Sequence, residues 1–308
     1  MESGGLETSQ GQPSPAAPVR YRTRRSDSTR WNEFEFRPGD IVISARSRSG
    51  TTWMQMICAL LVFQDPELPA PLSELSPWLD WKTTPLQEVL AALGAQRHRR
   101  FIKTHTPLDG LPLDPRVTYI VVARHPLDAA VSLYHHYANL DVRRLSQLQG
   151  LPDPGPAAPT PPLREWLLSW VHEDARPEDQ PESLSGYIRH AADAWSRRDT
   201  PNVLLAHYDD LSADLPGEMR RLAGRLAIDV PAERWPDLVG AASFRHMRAR
   251  ASRLAQGPSG ILLDDTKFFR NGKSGAGRHV LPAAEFTAYQ AKVATMAPSG
   301  ALTWLHRW

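Results

Sequence analysis

The chain has a single cysteine, Cys58, among 308 residues. A disulfide framework or a thiolate metal cluster within the chain is thereby excluded, and a reducing cytoplasm is the expected setting. Long apolar runs are missing as well. The longest, MICALLVF at 56–63, has eight residues against the roughly 20 that a membrane-spanning helix needs, so a soluble protein without a transmembrane segment is expected. Neither sign of charge is in large excess: 36 Lys plus Arg against 34 Asp plus Glu leave +2. That is too little for a surface that binds nucleic acid throughout, and any anion site must be local. There is no H-E-x-x-H, no cysteine pair and no carboxylate cluster with ligand spacing, so no metal is implied. No repeat of 20 to 50 residues is visible, which argues for one domain.

What is present suffices for a large core, with 41% hydrophobic and 23% charged residues. Residues 1–29 are rich in Ser, Gly, Pro and Gln, lack the apolar stretch of a secretory signal, and read as a mobile tail ahead of a domain at 30–308. Arg20, Arg22, Arg24, Arg25 and Arg30 make the end of that tail basic, which reads as a solvated charge run. The stretch LPDPGPAAPTPP at 151–162 holds too many prolines for a helix or a central strand and reads as a long loop of the kind that often covers a site.

Between these segments strand and helix patterns alternate. Residues 40–44, 100–104, 117–123 and 202–207 read as buried strands. Residues 51–63, a segment opened by Pro126, 184–197 and 215–226 carry helical periodicity. The expected fold is α/β, a single domain with a central parallel sheet flanked by helices and a P-loop-like nucleotide-binding architecture. Ligands of such sheets bind beyond the carboxyl ends of the strands, where the loop after residue 44, His105 and Arg124 all fall.

The first of those loops, ARSRSGTTW at 45–53, leads from a strand into a helix N-terminus, an arrangement that offers backbone N–H groups to an anion. The Walker pattern is half met: Ala45 stands at its first glycine, Gly50 at its second, Thr51 at the lysine and Thr52 at the hydroxyl. The cations, Arg46 and Arg48, precede the glycine, which suits a nucleotide whose reacting group is not a γ-phosphate.

SRSGTTW at 47–53 resembles the 5′-phosphosulfate loop of the cytosolic-type sulfotransferases. FIKTHTPL at 101–108 resembles the family's catalytic-histidine strand, and VARHPLDAAVS at 122–132 its 3′-phosphate motif. HYDDL at 207–211, SFRHM at 243–247 and FFRNGKSG at 268–275 resemble its adenine-side and closing-loop segments, in the family's order. PWLD and FIKTHTPLDGL look most like the mycobacterial glycolipid sulfotransferases. The resemblance spans about residue 30 to the C-terminus and implies 3′-phosphoadenosine 5′-phosphosulfate, PAPS, as donor co-substrate, with no metal.

The resemblance also implies roles for residues. His105 is the expected base, since a neutral imidazole can accept the proton of an attacking hydroxyl. Arg48 takes the position of the family's lysine and can stabilise a departing oxyanion, although a guanidinium is a poor proton donor. Lys103, two residues before His105 on the same side of a strand, can supply a second charge. Ser49, Gly50, Thr51 and Thr52 complete the loop around the reacting group. Arg124 and Ser132 are expected to clamp the other phosphate, with Arg270, Asn271 and Gly272 closing over it; Asn271 replaces a family lysine, and Gly275, Ala276 and Gly277 replace its GDW. Trp53 and Phe244, with Tyr208 nearby, stand where the family holds adenine. The family's dimerisation pattern is not matched by RHVLPAAEFT at 278–287, so the resemblance implies no oligomeric state.

The expected acceptor is a hydrophobic alcohol or phenol, or a glycolipid, rimmed by Trp78, Trp81, Trp166, Trp170, Tyr134 and Tyr137. Two other classes fit parts of the sequence. A nucleoside or nucleotide kinase explains the strand, loop and helix but needs the missing lysine and Mg²⁺; a nucleotide-binding protein without catalysis leaves His105 idle.

Overall fold

The computed structural model describes residues 17–155, 159–254 and 260–307. Four short strands, β1 (Ile41–Ala45), β2 (Phe101–Thr104), β3 (Thr118–Ala123) and β4 (Val203–His207), form one parallel sheet in the order β2-β1-β3-β4. Their continuous apolar character follows from burial on both faces. Ile41, Ile43 and Ala45 of β1 join the core that holds the Thr51–Phe63 helix, whereas Val42 joins a second core with Trp31, Leu79 and Tyr119. A third core lies under the Pro126–Tyr137 and Leu184–Ser196 helices. The expected strands and helices therefore form, with ends shifted by a residue at most.

The chain leaves β1 for β2 on one side and returns with β3 on the other, which makes the carboxyl end of β1 the switch point where a crevice opens. Register places the strand tips side by side: Ser44 pairs with Thr104 and with Val121, and Ala123 with His207. At the opposite end, Asp40 and Arg100 precede β1 and β2 as a buried ion pair, 2.5 Å between Nη2 and Oδ2.

The expected mobile tail is corrected over residues 17–29. Tyr21 is buried and donates its hydroxyl proton to Asp109 Oδ1 at 2.9 Å, and a 3₁₀ turn over Ser28–Glu33 is capped by Asp27. Nor are its arginines one solvated run. Arg30 is buried and donates to the carbonyls of Trp81 and Thr84, at 2.7 and 2.9 Å, and Arg20 pairs with Asp27. Charge alone hid the burial of Arg30, because its partners lie about fifty residues away in sequence. The rest of that tail, residues 1–16, lies outside the described residues. In the proline-rich stretch, residues 151–155 and 159–162 have no regular secondary structure, and 156–158 lie outside the described residues. Among the described residues no helix is long and apolar enough to cross a membrane.

Candidate active site

Beyond Ala45 the chain turns through residues 46–50 before the helix begins. Two residues of the turn have left-handed backbones, Arg48 at φ 63° and Gly50 at φ 104°. Glycine suits the second because a Cβ there would lie 3.1 Å from the Tyr208 ring. The arginine is held in this uncommon conformation from three sides. Its Nε donates to Ser132 Oγ at 3.0 Å, its Nη2 to the Phe268 carbonyl at 2.7 Å, and its own carbonyl accepts from Arg124 Nη1 at 3.2 Å. Burial, and then the charge of Arg124, lower its pKa to about 10, so it remains a cation. On the other flank Ser47 Oγ donates to Glu182 Oε1 at 2.6 Å, and the Tyr187 hydroxyl donates to the Ser47 carbonyl at 2.5 Å. Arg46 is spent as a brace on the His105 carbonyl and on Glu182. The N-cap Gly50 has no side chain to cap the helix, whose N-terminus points from the loop. Ser49 departs from expectation: it is buried, its N–H closes the turn on the Arg46 carbonyl at 3.1 Å, and it does not line the cavity.

The tip of β2 brings Lys103 and His105 beside this loop. The His105 Nδ1 bonds the Ala45 carbonyl; since a carbonyl only accepts, Nδ1 carries the proton and Nε2 the lone pair. Burial, then the charges of Lys103 and Arg46, hold the imidazole well below its ordinary pKa. The ring meets Trp78 edge-on with centroids 4.6 Å apart. Lys103 Nζ lies 4.1 Å from the centroid of the same indole. Burial lowers the Lys103 pKa to about 7, with Asp80 opposing and Arg48 reinforcing the shift.

Arg124, at the tip of β3, stacks over Tyr208 with 4.1 Å to the ring centroid, and its Nη2 donates to the Lys273 carbonyl at 3.2 Å. Ser132 is two turns along the following helix. The segment 268–277 crosses above them. Asp128 fastens it by accepting from the Gly275 and Gly277 N–H groups, each at 2.7 Å. Gly272, at φ 63°, rests against Phe244, where a Cβ would approach within 2.5 Å. Trp53 donates from Nε1 to the Ala242 carbonyl at 2.9 Å and meets Tyr208 edge-on at 5.3 Å.

These elements enclose a cavity of about 1820 Å³. Arg48, Gly50, Thr51, Thr52 and Trp53 line it, as do Lys103, His105, Arg124 and Ser132. Tyr208, Phe244, Arg270, Asn271 and Gly272 complete the set, so every expected site residue but Ser49 is brought to one space. Of the expected rim, Trp78, Trp81, Trp166, Trp170 and Tyr137 face it; Tyr134 instead donates to the Pro161 carbonyl and packs on Trp166. Sequence reasoning missed Asp80, His136 and Glu182, which also line the cavity, and the second roles of Arg24 and Arg25 there. Only the PWLD motif signalled one of them. Among the described residues no group of His, Cys, Asp or Glu could hold a metal ion.

Residues 38–295 match the sulfotransferase domain family. The chain is 42% identical to a glycolipid sulfotransferase of Mycobacterium bovis (strain BCG / Pasteur 1173P2) over 314 residues, covering 94% of each chain. It is 41% identical, over 94% of each, to that of Mycobacterium tuberculosis (strain ATCC 25618 / H37Rv), and 28% identical to sulfotransferase 1A1 of Rattus norvegicus over 84% of this chain and 85% of the other. Its fold is similar to retinol dehydratase in complex with androsterone and the inactive cofactor PAP, with TM-score 0.64, 22% identity and coverage of 87% and 83%. A mouse sulfotransferase complexed with PAP gives TM-score 0.64, 20% identity and coverage of 89% and 90%. The chain belongs to the sulfotransferase domain family and is an enzyme.

Proposed function

We propose that the enzyme moves the sulfuryl group of PAPS to a hydroxyl of a hydrophobic small-molecule, phenolic or glycolipid acceptor, with His105 as general base. The observation that carries this reading is the convergence of Arg48, Lys103, His105, Arg124 and Ser132 on one cavity that Trp78, Trp81, Trp166 and Trp170 also line. The residues fit an anionic nucleotide. Thr51 Oγ1 and Arg124 Nε are buried without a hydrogen-bond partner, and such atoms are costly unless a ligand meets them. The 46–53 loop with the uncapped helix N-terminus suits the phosphosulfate end. Arg124, Ser132, Arg270, Asn271 and Gly272 suit the second phosphate, and Trp53, Tyr208 and Phe244 the base.

With the donor there, the Nε2 lone pair of His105 takes the acceptor's proton as the hydroxyl oxygen bonds to sulfur and the sulfur–bridging oxygen bond breaks. Arg48 and Lys103 offset the charge that develops on the bridging oxygen. The names of the mycobacterial relatives, and the retinol and androsterone bound by the solved neighbour, support an apolar acceptor.

The test is turnover of labelled PAPS, with and without a chelator, on alcohols of increasing apolar size. Transfer indifferent to the chelator, with kcat/KM rising with apolar surface, is expected. Preference for short, charged sugars would overturn the acceptor class, and Mg²⁺-dependent transfer from ATP would favour a kinase.

A further inference from the structure

Behind the tip of β2 stands a carboxylate to which neither nucleotide nor acceptor gives a role. Asp80 is 1% exposed, and its Oδ2 accepts from the hydroxyls of Thr104 and Thr106, at 2.6 and 2.7 Å. These are the neighbours of His105 on either side. The clamp is reinforced, since Thr104 Oγ1 accepts from the Thr106 N–H at 2.9 Å and Ser44 Oγ donates to the Thr106 carbonyl at 2.7 Å. The backbone carrying Asp80 is itself fixed, because its carbonyl accepts from the Asp27 N–H at 2.9 Å and Trp78 bridges to Lys103.

Two hydroxyl donors do not require a charge; the amide oxygen of an asparagine accepts both. Both bonds also fall on one oxygen, and Oδ1 is buried without a hydrogen-bond partner. A buried carboxylate kept so is costly unless a cation is near. Lys103 is that cation. The charges of Asp80 and Arg48 act on it, its own charge acts on His105 and His136, and it lies over the Trp78 ring. Of those four groups Asp80 is the one carboxylate; burial raises its pKa, and the bonds from Thr104 and Thr106 oppose that rise.

We propose that Asp80 is a positioning residue of the transfer site: it fixes His105 through the hydroxyls on either side of it and sets a negative charge beside the Lys103 ammonium. The inference rests on the roles proposed above for His105 and Lys103.

Asp80→Asn separates charge from scaffold, because it keeps the shape and an acceptor for the two hydroxyls. In that variant PAP affinity, measured by calorimetry, stays within about threefold, while kcat falls about tenfold or more. The alkaline limb of kcat/KM moves to lower pH, because the ammonium has lost its counter-charge and releases its proton sooner. The double variant Thr104→Val/Thr106→Val lowers kcat, because the two bonds that hold the neighbours of His105 are lost. An Asp80→Asn enzyme whose alkaline limb does not move overturns the proposal, whatever its kcat. Should that variant not fold, wild-type kcat in the double variant overturns it. Failure of the underlying reading shows elsewhere, as full activity in His105→Ala.

Discussion

At the residue scale the site divides its labour between two cations of different character. The Arg48 guanidinium, about 10 in pKa, is charged at any pH the enzyme meets, whereas the Lys103 ammonium, about 7, is not. His105 is held neutral by burial and by the charges of Lys103 and Arg46. The pH profile follows by sign. A base whose pKa lies well below 6.5 is available from acid pH upward, and a needed ammonium is lost as pH rises through about 7. We therefore expect kcat/KM to be flat on the acid side of neutrality and to fall above it; a rate still rising between pH 7 and 9 would remove the Lys103 charge from the mechanism. His105→Ala should lower sulfation by about 100-fold with PAP binding preserved, since its Nδ1 contact is to protein backbone. Arg124→Ala should act the other way, weakening PAP binding more than kcat at saturation, because the proposed function sets it against a phosphate that does not react. Unchanged affinity in a calorimetric titration would sink that assignment.

Among the elements, segment 268–277 is the most exposed to single changes. It has few regular hydrogen bonds of its own and is held by Arg48, Arg124 and Asp128, side chains from two other loops and a helix. Gly272→Ala places a Cβ within 2.5 Å of Phe244 on a backbone at φ 63°. We expect the KM for donor to rise about tenfold, as strain of roughly 1–3 kcal/mol displaces the segment from this position; unaltered KM would show that the segment does not bear on the donor. Such contacts bound what the sequence could disclose. The strands and the 51–63 helix were legible because periodicity and a glycine at a strand end are local signals, and the expected site residues carried motif spacing. Glu182 was not, for it meets Ser47 across 135 residues and sits in no motif. Nor was the packing of residues 17–29, where a basic composition outweighed Tyr21 and the cap at Asp27. Ser49 was assigned by its neighbours in the loop, but tight turns bury some of their members.

For the whole molecule, the sheet separates two ends with different duties. The cavity opens at the carboxyl ends of the strands, and the Asp40–Arg100 pair pins β1 to β2 at the amino ends, with both side chains at most 3% exposed. Arg100→Ala leaves an uncompensated buried carboxylate and should cost about 3–5 kcal/mol of stability, read as a lower urea midpoint, with PAP affinity unchanged in the folded fraction. A parallel loss of affinity would show that the two ends are coupled. The carbonyls of Phe268 and Lys273 bear on how the cavity fills and empties. They already receive hydrogen bonds from Arg48 and Arg124, so backbone dipoles occupy donors that the proposed function assigns to an anion. For these two donors, filling the cavity is thus an exchange of acceptors, and their net contribution to affinity is smaller than the contacts suggest. Emptying it returns each guanidinium to a waiting partner, which lets a site grip a polyanion and still let go of it every cycle.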